Sequence, residues 1–193
     1  MPGNLIFIEL NEFNSQLMAD AAKVYNLPHV AKALSLPYQR KTVTADLYDS
    51  GYLEPWVQWV SVHTGTLSSD HKIKHLGDVA FNNKKQIWEE LSEKGISSGI
   101  WGAMNATRGT AKNCKFFLPD PWTFEEKAFP DEINNFLGLP RYMARNYLRP
   151  RLTAIMSQLV KFALFMLRPR AFFALLKELP YFLPYVVRYR GAN

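Results

Sequence analysis

Between Leu53 and His71 the chain carries a carboxylate, hydroxyls and histidines in a short stretch, among them Glu54, Ser61, His63, Thr64 and His71. These are side chains of the kind used in nucleophilic and acid–base chemistry. The run Leu53-Glu54-Pro55-Trp56-Val57-Gln58-Trp59-Val60-Ser61-Val62-His63 reads as a helix. Thr64-Gly65 is the tight turn that ends it, and Asp70-His71 delivers a histidine just beyond. Each residue also has a plainer reading. Thr64 suits a turn or cap as well as catalysis, and His63 and His75 lack an acidic partner at metal-ligand spacing. Trp56, Trp59 and Trp122 are able to wall a pocket or to fill a core.

The elements that would position these residues follow from periodicity. Leu5 to Leu10 is a near-continuous apolar run of β-formers, as in a strand buried on both faces of a parallel sheet. Helices are expected over roughly Ser15 to Val24 and over Leu27 to Leu34, the second begun by Pro28. Lys41 to Ala45 alternates as a strand. Gln86 to Leu91 is amphipathic and stops at Gly95, Ile96 to Met104 returns as a strand, and Phe116 to Leu118 makes another. Alternating strands and helices predict α/β architecture: a doubly wound, mostly parallel sheet with helices on both faces, joined by right-handed crossovers. Ligands of such sheets lie at the carboxyl ends of the strands. That rule points to Asn11-Glu12, Asn105 and Asp120. Asn11 and Glu12 also suit capping of the following helix, and Asp120, between Pro119 and Pro121, suits a turn.

The chain has 193 residues, 48% hydrophobic and 14% aromatic, which fits a packed domain rather than a disordered one. Its one cysteine, Cys114, leaves no internal disulfide or cysteine-rich zinc site and fits a reducing compartment. Met1 to Asn4 carries no basic leader region, so the expected location is cytoplasmic. The net charge of +6 is uneven: from Arg141 onward eight arginines and two lysines face one acid, Glu178, giving +9 there and −3 elsewhere.

Composition changes after Asp120, so two regions are expected: an α/β portion over 1–122 and a helical, basic extension over 123–193. Leu152, Ile155, Met156, Leu159, Ala163 and Met166 fall at helical spacing, and a second apolar stripe from Phe172 to Val186 is interrupted by Pro180 and Pro184. Charged residues cut every apolar run well below the ~20 residues of a span. Residues 141–190 suit either packing as a helical hairpin or peripheral contact with an anionic membrane surface. Nucleic-acid binding is not expected, since no recognition motif accompanies the charge.

Four blocks, in order, give the sequence a family likeness. They are Leu5 to Leu10 followed by Asn11; Leu27-Pro28-His29-Val30 with Ala33-Leu34; Trp59, Ser61, Thr64-Gly65, His71 and Ile73; and Ile87-Trp88-Glu89-Glu90-Leu91 leading through Gly95 into a strand. Over roughly residues 3 to 120 the chain resembles the alkaline phosphatase superfamily, on the branch of nucleotide pyrophosphatases and phosphodiesterases. The resemblance implies hydrolysis of phosphate, phosphodiester or sulfate esters with two divalent metals, zinc or manganese. It places metal ligands at Asn11 and Glu12, with Glu9 beside them on the face of Asn11 if strand alternation continues. It gives catalytic roles to Thr64 and, with a local gap that would put Leu53 or Glu54 at the nucleophile's position, to Glu54.

Two positions depart from the pattern. Where the family carries a threonine or serine nucleophile this chain has Pro55, which has no attacking side chain; the adjacent Glu54 is a carboxylate, a group that can be phosphorylated. Asn11 is a neutral oxygen donor where the family has aspartate. The family draws most of its metal ligands from a second half, and no histidine follows His75 here. The resemblance therefore implies the N-terminal portion of a longer hydrolase, or a degenerate relative that binds without catalysis, its basic tail docking on an acidic partner or membrane.

Overall fold

The structure, a computed structural model, describes residues 4–11, 13–38, 40, 42–46, 53–81, 83–166, 173, 174 and 177. The chain divides into two units, 1–55 and 56–193.

In the first unit, helix α1 (Ser15–Val24) begins at Asn14, whose side-chain oxygen accepts the Leu17 N–H at 2.9 Å. Asparagine is a favoured N-cap because its oxygen satisfies one of the orphan donors of the first turn. The helix terminates where Asn26 takes a φ of 51°, a left-handed conformation that asparagine tolerates. Helix α2 (Pro28–Leu34) starts on its proline, where the missing N–H costs nothing. The two helices pack together, with Ala22 buried. Both match expectation.

The expected first strand does not form. Leu5 to Leu10 has no regular structure, and Leu5 and Ile6 are 88% and 82% exposed. A buried parallel strand exists only by pairing at its edges and being covered on its faces, and among the described residues no strand pairs with this run. The alternation that would put Glu9 and Asn11 on one face therefore does not apply. Residues 42–45 are likewise not a strand, and Lys41 lies outside the described residues.

Helix α3 (Pro55–Thr64), whose proline occupies the first helical position, begins at the boundary between the units, and all but that proline belongs to the second. Val57, Val60 and His63 form its buried stripe, and Val60 meets Ile73 and Val79 in a small cluster. Gly65, at φ 63°, ends the helix, and α4 (Ser68–His71) follows at once. Helix α5 (Ile87–Glu93) carries a reciprocal capping box: Gln86 opens it, and the Glu89 carboxylate accepts the Gln86 N–H at 2.9 Å. Gly95, at φ 74°, releases the chain into β1 (Ser98–Trp101), which pairs in parallel with β2 (Cys114–Leu118).

The crossover between these strands is a loop rather than the expected helix. It is fixed by polar side chains of α5. Glu89 accepts from the backbone and the hydroxyl of Thr110 at 2.9 and 3.0 Å. Gln86 pairs with both the N–H and the C=O of Thr107, Trp88 Nε1 donates to that same carbonyl, and Ser92 holds Asn113. Gly109 is required twice over, by its φ of 52° and because a Cβ there would run into the Glu89 carboxylate. Trp88, Ile100, Ala106, Ala111, Cys114 and Phe117 fill the core between α5, the loop and the strands.

Beyond β2, a 3₁₀ helix (Asp131–Leu137) runs into α6 (Gly138–Asn146), and α7 (Leu152–Met166) follows. Leu118, Ala128 and Leu137 form a further cluster, and Arg141 clamps the intervening loop by donating to the carbonyls of Thr123 and Glu126 at 2.7 and 2.6 Å. The apolar stripe beyond Phe172 falls largely outside the described residues. The architecture is mixed α/β and mostly helical; among the described residues the sheet has two parallel strands. None of the described helices is long and apolar enough to cross a membrane.

Cys114 is 3% exposed and its Sγ contacts the Phe116 carbonyl at 3.0 Å. Burial pushes its thiol pKa up, because the thiolate is the form that desolvation penalises. The neutral thiol thus favours the fold below the unfolded-state pKa, and that contribution is lost as pH rises towards the higher folded value. Native protein at about pH 8 is expected to resist a disulfide-exchange reagent and to react fully in denaturant. Prompt labelling of the native state would contradict this burial.

Candidate functional site

The carboxyl ends of β1 and β2 are tied together by two buried polar residues, Asn105 and Asp120. Asn105 lies beyond β1 at a φ of 51°. Its side chain donates to the backbone carbonyls of Trp56 and His75 at 2.9 and 3.2 Å and accepts the Gly77 N–H at 2.9 Å. Its own N–H donates to Asp120 Oδ2 at 2.8 Å. Asp120 Oδ1 accepts the N–H groups of Trp122 and Thr123 at 2.8 and 3.1 Å, while the Thr123 hydroxyl donates to Oδ2. One buried carboxylate thus gathers four donors, which satisfies its oxygens where water does not reach them.

This hub fixes the first turn of α3. Trp56 is held through its backbone carbonyl by Asn105 and through its indole N–H by the Lys74 carbonyl at 2.9 Å. The far end of α3 is fixed by a second set of bonds. His71 is buried, and its Nδ1 accepts the Ile73 N–H at 3.0 Å. In the neutral ring its Nε2 then carries the proton and donates to Ser61 Oγ at 2.9 Å. An imidazole so committed cannot take a proton from Ser61, so this pair fastens the helix to the loop beyond it rather than activating a nucleophile. The Thr64 hydroxyl donates to the Val60 carbonyl at 2.8 Å and meets Thr66 Oγ1 at 2.7 Å. It is half-buried in the turn that ends α3.

Asn11 is exposed in a turn of the first unit, and Glu54 is exposed just ahead of α3. Glu12 lies outside the described residues. The helix cap that Asn11 and Glu12 suited is supplied by Asn14. Among the described residues no three His, Cys, Asp or Glu side chains are placed to hold a metal ion, so the described donors do not by themselves fit a two-metal centre.

The tryptophans divide between core and groove. Trp59 stacks on buried His63 with ring centres 6.2 Å apart, and Trp88 meets the same ring at 5.1 Å. Trp122, next to Asp120, walls an open groove of about 540 Å³ with Pro121, Pro140, Met143 and Tyr147. Sequence reasoning placed Asn105 and Asp120 beside any site but missed the buried carboxylate Glu89. Its signal was the Gln86-x-x-Glu89 spacing at a helix start.

No family model, curated protein or solved structure matches the chain.

Proposed function

We propose that this chain forms the N-terminal portion of a metal-dependent hydrolase of phosphate, phosphodiester or sulfate esters, of the alkaline phosphatase type. The observation that carries the reading is the physical coherence of its central motif. Ser61 and His71 bond to each other, His71 holds Ile73, and Thr64 and Gly65 build the turn between them. The residues that gave the family likeness are thus one device for fixing α3, and that family carries its nucleophile at the start of this helix. The Asn105–Asp120 hub, at the strand ends where α/β sheets bind ligands, fixes the same first turn from the other side. The groove at Trp122 supplies an apolar wall nearby.

In this reading β1 and β2 belong to a larger, doubly wound parallel sheet, in which the exposed apolar run Leu5–Leu10 would be buried as a strand. The two zinc or manganese ions would draw on Asn11 and Glu12, with their other ligands supplied by the rest of the enzyme. Glu54 would stand at the reacting centre and Thr64 would secure the helix that presents it. The test is ester hydrolysis by the full-length protein carrying Glu54→Ala or Glu12→Ala. Each is expected to lower metal-dependent kcat/KM at least ~100-fold, and Glu54→Ala should leave folding unchanged because Glu54 is exposed. Full activity in both variants would exclude these assignments.

One observation favours a second reading. Pro55 occupies the nucleophile's place and serves as the first residue of α3, a role that requires no chemistry. In that case the module binds its ester ligand without cleaving it, and full-length protein would bind the ester while showing no turnover.

A further inference from the structure

Helix α7 is apolar on more than its packed face. Its inner face is partly buried: Phe162 meets Phe136 edge-on with ring centres 5.4 Å apart, and Gln158 approaches Gly138 where a side chain would block it. Away from that face Leu152, Met156, Val160 and Leu164 are 51% to 74% exposed, with Leu159 on the flank at 40%. A helix packed by one face normally turns polar residues to water on the other; here the water-facing side holds four large apolar residues. Tyr147 and Leu148, in the connection leading into α7, are 72% and 77% exposed. The Tyr142 hydroxyl, which accepts the Arg151 N–H at 2.7 Å, fastens the start of α7 to α6.

The charge along this stretch of sequence has one sign. Between Glu132 and Glu178 the sequence contains no acidic residue, while Arg141, Arg145, Arg149, Arg151, Lys161, Arg168, Arg170 and Lys177 are all cationic. Arg141 is occupied by two carbonyls and Arg145 lies 4.3 Å over the Phe124 ring. Arg149 and Arg151, at the start of α7, and Lys161 within it are exposed.

We propose that the outer face of α7 and the connection before it dock on the surface of a bilayer containing anionic phospholipid. The occupant must be both apolar and negative. Acyl chains would cover Leu152, Met156, Val160 and Leu164, while headgroup phosphates would neutralise Arg149, Arg151 and Lys161. A second copy of this face is disfavoured because like charges would oppose each other across the contact. The helix, 15 residues long, extends only ~22 Å, short of the ~30 Å hydrocarbon core, so it lies along the interface. The proposal is independent of whether the protein hydrolyses esters.

Co-flotation of the full chain with vesicles tests it. Partitioning is expected to be at least ~10-fold stronger onto phosphatidylcholine containing about one-third phosphatidylserine than onto phosphatidylcholine alone. It should weaken steeply as salt rises from ~0.1 to ~0.5 M. The variant Met156→Glu/Val160→Glu/Leu164→Glu should lose binding at unchanged helical circular dichroism, and Arg149→Ser/Arg151→Ser should abolish the preference for the anionic vesicle. Equal partitioning onto both vesicles, or binding unaffected by the outer-face glutamates, would overturn the proposal. So would absent vesicle binding together with concentration-dependent self-association that those glutamates abolish, which would assign the face to a second copy.

Discussion

Asp120→Ala is expected to lower the free energy of unfolding by about 3–5 kcal/mol. The carboxylate accepts from Asn105 N–H, Trp122 N–H, Thr123 N–H and the Thr123 hydroxyl, and Asp120 is 2% exposed. Each buried donor left without an acceptor costs ~1–3 kcal/mol. Trp122, itself exposed, recovers part of its loss from water, which sets the total below the simple sum. Asp120→Asn keeps one acceptor oxygen but turns an amide N–H₂ towards donors, so it should fall between wild type and alanine. Urea unfolding at constant m measures these differences. A loss under ~1 kcal/mol in Asp120→Ala would mean that the carboxyl ends of the strands are held by something other than this hub.

Asn105→Ala is expected to be nearly as costly, for two separable reasons. Truncation leaves the carbonyls of Trp56 and His75 and the N–H of Gly77 without their partner. It also puts a Cβ-bearing residue with no local side-chain hydrogen bond at a φ of 51°, where strain adds about 1 kcal/mol. Asn105→Gly removes the hydrogen bonds but accepts the left-handed backbone. It should therefore cost about 2–4 kcal/mol, with alanine about 1 kcal/mol worse. Because Asn105 and Asp120 share a bond, Asn105→Gly combined with Asp120→Ala should destabilise by less than the sum of the two. Strict additivity would show that the two residues stabilise the molecule independently. The hub also holds the first turn of α3, so any ester chemistry proposed there should fall in the same variants even at temperatures where they remain folded.

What could be read from the sequence was mostly what is decided locally. Pro28, Gly65 and Gly95 are start and stop signals that act within one helical turn, and the helices they bound occur where expected, whereas the cap expected of Asn11 and Glu12 is supplied by Asn14. Leu5–Leu10 differs because strand formation depends on partners. The same apolar residues make a buried strand or an exposed extended run according to what lies beside them. The strand-end rule found Asn105 and Asp120 without knowing that they bond to each other, since that contact spans a loop whose path depends on Glu89 and Gln86. Ser61 and His71 were visible as a spacing. Their hydrogen bond required the left-handed turn at Gly65 and the short helix α4 to bring the ring back over α3. Glu54 and Asn11 were selected for their chemistry, and nothing local to them specifies what they face.

The most direct measurement is turnover of an aryl phosphate, an aryl phosphodiester and an aryl sulfate by the unmodified full-length protein, before and after chelation and with zinc or manganese restored. Hydrolysis of at least one ester that disappears on chelation and returns with either metal is the predicted result. Absence of turnover of all three esters in the presence of both metals would contradict the hydrolase reading.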